Sequence, residues 1–237
     1  MIKKTLLATA LMAATSTAAL AEISGNVAMS SDYVWRGVSQ TDNQMAISGG
    51  LDYSHASGLY VGTWASNVSS DFFGGAVDPQ IELDFYGGYG GEMGAISYDL
   101  GVIGYNYPGA SEWNTLEVYA GGGYKFTDTV SGNAKYSYSS DFFDTGDSAW
   151  RLEAAVDVSL PMDFGLSMGI ATNDGDAFSP STLGIDSYMD YKVGLSKSVA
   201  GVDLGLTYTD TDLSESECFG GYNVCDSKIV FSVAKSL

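Results

Sequence analysis

One histidine, two cysteines and 29 carboxylates are the groups on which this 237-residue chain could build chemistry. His55 stands in "HASG", a turn composition. Nucleophilic catalysis needs a base held against both a nucleophile and an orienting group, so His55 reads as a polar turn residue. A carboxylate pair could serve a glycosidase, but acids are so numerous that no pair stands out. "TNDGDAF" (172–178) and "TDTDLSESE" (209–217) crowd acids together without EF-hand spacing. They read as solvated loops, with weak Ca²⁺ or Mg²⁺ binding, or bridging to lipopolysaccharide phosphates, as the alternative. Neither a phosphate-binding G-x-x-x-x-G-K-[ST] nor a G-x-G-x-x-G occurs. No enzymatic activity, no cofactor and no metal site are expected. Cys218 and Cys225 share the stretch "ECFGGYNVC". In an exported protein so close a pair reads as a local disulfide, and zinc would need more ligands.

Export is itself legible. Lys3 and Lys4 form a basic start, Leu6 to Ala14 an apolar run, and Ala19-Leu20-Ala21 a small-residue cleavage site. Residues 1–21 are therefore expected to be a Sec-type signal peptide of a Gram-negative bacterium, and 22–237 the mature domain. Ten bases against 29 acids give a net charge of −19, which excludes nucleic acid as a partner because phosphate binding needs Lys and Arg in excess. With 45% hydrophobic and 13% aromatic residues, the chain is too apolar for a disordered acidic tail. No later apolar run is long enough for a membrane-spanning helix.

The elements that must position these groups are strands. In "SAWRLEAAVDVSL", Trp150, Leu152, Ala154, Val156, Val158 and Leu160 share one face, and Arg151, Glu153, Ala155, Asp157 and Ser159 the other. Twelve strands are predicted, near 23–30, 44–54, 59–66, 80–90, 95–105, 113–125, 129–138, 148–160, 163–171, 187–198, 202–209 and 227–237. Their connections alternate strictly between short turns and long loops (31–43, 67–79, 106–112, 139–147, 172–186 and 210–226). In an up-and-down meander this sorts all long loops to one end, which a soluble sandwich has no reason to do. An outer-membrane barrel does so, with short periplasmic turns and longer extracellular loops. The predicted fold is an all-β, transmembrane, antiparallel up-and-down barrel of about twelve strands. Lipid would cover the apolar face, and closure would leave no free edge. Both termini are expected on the periplasmic side.

The long loops carry sixteen acids and one base, Arg36. Arg36 follows Tyr33 and Trp35, aromatics that suit a membrane interface or the wall of the barrel mouth. Loop 1 is expected to fold toward the mouth, Arg36 reaching a carboxylate and narrowing the entrance. "SSDYVWRGVSQTD", "SGGLDYSHASGLYVGTWASNV", "IELDFYGGYGG", "YDLGVIGYNYPG" and "LEVYAGGGY" together resemble the ordered motifs of the TorF-type porin family of proteobacterial outer-membrane barrels. The resemblance spans about residues 29–125. It implies outer-membrane location and solute passage, and supplies no substrate or site residue.

Opposite the apolar strand faces lie Asp52, Glu82, Asp84, Asp99, Glu117, Glu153, Asp157, Asp163, Asp190 and Asp203, against Lys125, Lys135, Arg151 and Lys192. All but Asp163, Lys125 and Lys135 are taken as pore-lining candidates. Twelve strands fall between the roughly eight whose interior side chains fill and the 16–18 of open porins. A narrow polar channel for small hydrophilic solutes with weak cation preference is expected, in contact with outer-membrane lipid and lipopolysaccharide. The alternative is a non-conducting structural or adhesive barrel in which the charges pair and close the lumen. The sequence sets no oligomeric state.

Overall fold

A computed structural model describes residues 21–69, 79–179, 181–218 and 223–237 of the chain. Most of the expected signal segment lies outside these residues, as do the loop acids Asp71 and Asp78. The barrel strands are β1 (Glu22–Ser30), β4 (Ala46–Ser54), β5 (Leu59–Asn67), β6 (Ile81–Met93), β7 (Ile96–Asn106) and β8 (Thr115–Lys125) in the first half. The second half contributes β9 (Val130–Ser139), β10 (Ala149–Leu160), β11 (Phe164–Asp174), β12 (Tyr188–Val199), β13 (Val202–Thr211) and β14 (Lys228–Ser236). Between β1 and β4, loop 1 carries two short strands of its own, β2 (Val34–Trp35) and β3 (Val38–Ser39).

Each barrel strand pairs antiparallel with its neighbour in sequence, and β1 closes the circle by pairing with both β4 and β14. The twelve predicted strands are all present, so the all-β barrel is the observed fold. Boundaries moved where loop residues join the ladder. Asp174 pairs opposite Trp150 and Asp210 opposite Tyr191, so these two acids end strands rather than stand in loops. Asp163, expected in the lumen, lies in the β10–β11 turn with a left-handed φ of 60°. Lys125, at the end of β8, pairs with Asp128 of the next turn, 3.1 Å away.

The burial pattern inverts that of a water-soluble protein. Ile229, Leu116, Ile47 and Leu59 are more than half exposed, while Glu82, Glu117, Arg151 and Asp190 are at most 5% exposed. Such a surface is stable against lipid tails, and strands of 9–13 residues are long enough to cross them. No helix of the described residues is long and apolar enough to span a membrane. Outward aromatics gather at both ends: Tyr89 with Tyr98 and Tyr124 with Phe126 near the short turns, Tyr136 with Trp150 near the long loops. The long loops pack into a cap of their own, built on Val38, Phe142, Phe178, Ile185, Val224 and the two cysteines.

Candidate functional site: the plugged lumen

Loop 1 leaves β1 and turns into the barrel. Its base is tied by Asp32, whose Oδ1 accepts from Ser39 Oγ at 2.6 Å and Thr41 Oγ1 at 2.8 Å. Lys228 Nζ stands 3.4 Å from the other oxygen. A second cation therefore joins Arg36 at the rim, one that counting loop residues alone left out. Above this base the β2–β3 hairpin has two residue pairs, Val34 with Ser39 and Trp35 with Val38, and a two-residue tip, Arg36-Gly37, with φ of 53° and 82°. Two successive left-handed residues make the tight turn that matches strand twist. Glycine is required at the second for another reason: a Cβ there would collide with Thr211 and touch Asp190 Cβ at 3.0 Å. The tip is thus seated against the β12–β13 wall.

From the same tip, Arg36 Nη2 reaches across to β8, 2.6 and 2.7 Å from the two oxygens of Glu117. Both side chains are buried, at 7% and 3% exposure. Burial by itself disfavours the guanidinium charge, but the Glu117 carboxylate outweighs it and holds Arg36 above its ordinary value. The guanidinium also lies 4.1 Å from the Trp35 ring centre, and Tyr188 of β12 donates its hydroxyl to the Arg36 carbonyl at 3.0 Å. Tyr33 and Trp35, expected at the lipid interface or the mouth, are turned inward. Trp35 packs on Tyr105, Phe142 and Phe143, and Tyr33 packs on Trp64 of β5. The reason is local: a hairpin pinned by Asp32 and wedged at Gly37 leaves its aromatics no path to the outer surface.

Beneath the hairpin the candidate lumen residues fall into groups. Glu82 accepts from Tyr33 at 2.8 Å and Tyr107 at 2.9 Å. Burial, with the Glu82 charge second, pushes the Tyr33 phenol well above its ordinary value, so it remains a proton donor. Asp84 shares the lumen face of β6 with Glu82. On the far wall, Arg151 donates to both oxygens of Asp190, to Asn173 and to Glu153, and Lys135 stands 3.2 Å from Glu153. The space bounded by these groups, Asn133 and Lys192 measures about 10 Å³, room for about one water. Toward the short turns, Tyr60 donates to Asp99 at 2.7 Å and Tyr86 to Asp52 at 2.6 Å. Asn133 donates to Asp157 at 3.3 Å, and Ser198 to Asp203.

Two features were missed in the sequence. Apolar residues inside the long loops, such as Phe142, Phe143, Phe178 and Ile185, pack into the cap, and their signal in the sequence is apolar content without a period. The tyrosines Tyr60, Tyr86 and Tyr119 lie in the lumen over the glycines Gly88, Gly62 and Gly101, where any Cβ would strike the phenol. Glycine opposite tyrosine on paired strands is a readable pattern once register is known. His55 is held by Ser57, 2.8 Å from its Nδ1, within its turn. Cys218 and Cys225 are bonded to each other. Among the described residues no group of three or more His, Cys, Asp or Glu could hold a metal ion.

A family model described as "Bacterial protein of unknown function (Gcw_chp)" matches residues 13–237. Among curated proteins none matches the sequence. The fold is similar to that of the NanC porin, at 11% identity and a TM-score of 0.57 over 90% of this chain and 98% of that one. It is also similar to Salmonella typhi OmpF, solved in complex with daunomycin, at 7% identity and a TM-score of 0.50 over 92% and 97%. At such identities the likeness is one of fold.

Proposed function

The chain belongs to the Gcw_chp family, and we propose that it is an outer-membrane channel for small hydrophilic solutes, weakly favouring cations, with loop 1 as the plug of its outer mouth. The carrying observation is the loop-1 hairpin held inside a closed, polar-lined barrel by the buried Arg36–Glu117 pair. A barrel needed only as a wall could fill its interior with apolar side chains. This one buries carboxylates and tyrosine hydroxyls there instead. Acids on β4 to β8 (Asp52, Glu82, Asp84, Asp99, Glu117) face a wall with Lys135, Arg151 and Lys192, and acids predominate, which favours cation entry. On this reading residues 1–21 are removed on export, the termini and short turns are periplasmic, and the acidic cap faces outward. The resemblance of residues 29–125 to TorF-type porins points the same way. Passage by this route involves no catalytic step.

One observation favours a second reading, a non-conducting structural barrel: the outer loops bury Phe142, Ile185 and Val224 in a continuous apolar cap over loop 1. Planar-bilayer recording of the wild type and of a deletion of residues 34–39 separates the two. The channel reading expects rare or small conductance steps in the wild type and large, steady ones after deletion. Silence from both at every voltage sinks it and leaves the structural barrel.

A further inference from the structure

The carboxylates under loop 1 are unequally served. Glu117 holds Arg36, and Glu82 takes two tyrosine hydroxyls. Asp84, on the same wall, is 5% exposed, and its Oδ1 has no hydrogen-bond partner among the described residues. Among the described residues Arg36 is committed to Glu117, Lys135 to Glu153 and Arg151 to Asp190, and Lys192 lines the far wall with Glu153 and Asp190. A buried carboxylate oxygen left without a donor is costly, and proteins retain one where a ligand or ion completes it.

The surroundings narrow the ligand. In the ladder Asp84 stands directly between Trp64 of β5 and Tyr105 of β7. The Tyr33 ring packs on Trp64 with centroids 5.2 Å apart, so loop 1 supplies a further aromatic wall. Calcium and magnesium need about six or more oxygens, and among the described residues no group of three or more His, Cys, Asp or Glu could hold a metal ion. One acceptor oxygen among aromatic faces suits an organic ammonium, which donates one charged hydrogen bond and rests its other faces on π clouds. We propose that Asp84, with Trp64, Tyr105 and Tyr33, forms a binding site in the lumen for the ammonium group of a small organic cation. The site deepens the cation-preferring channel reading and rests on it only in requiring that solute reach the lumen. Tyr33 ties it to loop 1, so an occupied site holds the plug in place.

The test uses the folded full chain in detergent, titrated with methylammonium chloride against sodium chloride at constant ionic strength. Tryptophan fluorescence and the temperature at which the folded gel mobility is lost are both read. A saturable fluorescence change and a rise in that temperature are expected with methylammonium and not with sodium. Asp84→Asn, which keeps the shape and removes the acidic group, should weaken half-saturation at least tenfold; Asp128→Asn, in an exposed turn, should leave it unchanged. Should Asp84→Asn fail to fold, Trp64→Leu is expected to weaken the same response while keeping the carboxylate. An equal response to sodium, no response, or full retention in whichever of these two variants folds overturns the site. No current is measured, so a silent barrel that binds methylammonium sinks the channel alone, and a conducting barrel that does not bind sinks the site alone.

Discussion

Arg36 shows how one side chain can hold a whole loop. Removing one partner of a buried ion pair costs about 3–5 kcal/mol, because the other is left charged and unpaired. Arg36→Ala leaves Glu117 in that position, and the least costly relief is for loop 1 to leave the lumen while the ladders stay intact. Chymotrypsin applied to the folded protein should then cut at Tyr33 or Trp35 at least tenfold faster than in the wild type. Arg36→Ala/Glu117→Ala should lose less than the two single changes combined, since no orphan charge remains. Equal cutting rates in all forms would show that the pair does not hold the loop. Gly37 gives an independent check. Any side chain there meets both a left-handed backbone and the Thr211 and Asp190 side chains. Gly37→Val should therefore expose loop 1 as fully as Arg36→Ala with every charge in place. At this scale the sequence was partly legible: a lone cation among acids announced a carboxylate partner. Which carboxylate was not, because Glu117 lies 81 positions away and only barrel closure brings β8 to the hairpin tip.

Among the elements, strands were easier to foresee than loops, for a physical reason. A strand with lipid on one face and polar lumen on the other must alternate, and the period of two survives in sequence wherever both environments are enforced. β10 is the clearest instance, with Leu152 exposed beside buried Arg151. A loop obeys no such period. The β2–β3 hairpin is too short to show any, and its signals were the Gly37 turn and the Ser39, Gln40 and Thr41 run, all three fully buried. The outer cap depends on contacts between loops distant in sequence. The Cys218–Cys225 bridge stabilises one part of it, with both residues at most 1% exposed and Thr211 donating to the Cys225 carbonyl at 3.1 Å. Closing a loop this short contributes about 2–3 kcal/mol. Cys218→Ser/Cys225→Ser should therefore loosen the final loop, seen as faster hydrogen exchange across 212–218 and 223–227, with exchange in β13 and β14 unchanged. Equal protection with and without the bridge would show that apolar packing alone holds the cap.

Considered whole, the molecule sets a lumen rich in carboxylates inside an apolar cylinder, and the consequence is electrical. Asp52, Asp99 and the Glu82–Asp84–Glu117 group lie along the β4 to β8 wall, and Lys135, Arg151 and Lys192 cluster on β9 to β12. Internal pairing neutralises some of these charges, as Arg151 does Asp190, but too few bases exist to neutralise all the acids. On the channel reading proposed above, a cation entering past the displaced hairpin meets a net negative potential and an anion is repelled by it. Salt determines how far that potential extends, since screening falls from a length of about 10 Å at 0.1 M to about 3 Å at 1 M. A barrel lacking residues 34–39, recorded under a tenfold potassium chloride gradient, should therefore show a reversal potential on the cation side. The preference should be strongest with dilute salt and nearly gone when both sides are near molar. Asp99→Asn, which removes one carboxylate that Tyr60 can still approach as a donor, should move the reversal potential toward zero without closing the channel. Lys192→Gln should move it further to the cation side. A reversal potential on the anion side, or one indifferent to salt, would mean that the fixed lumen charge does not govern entry.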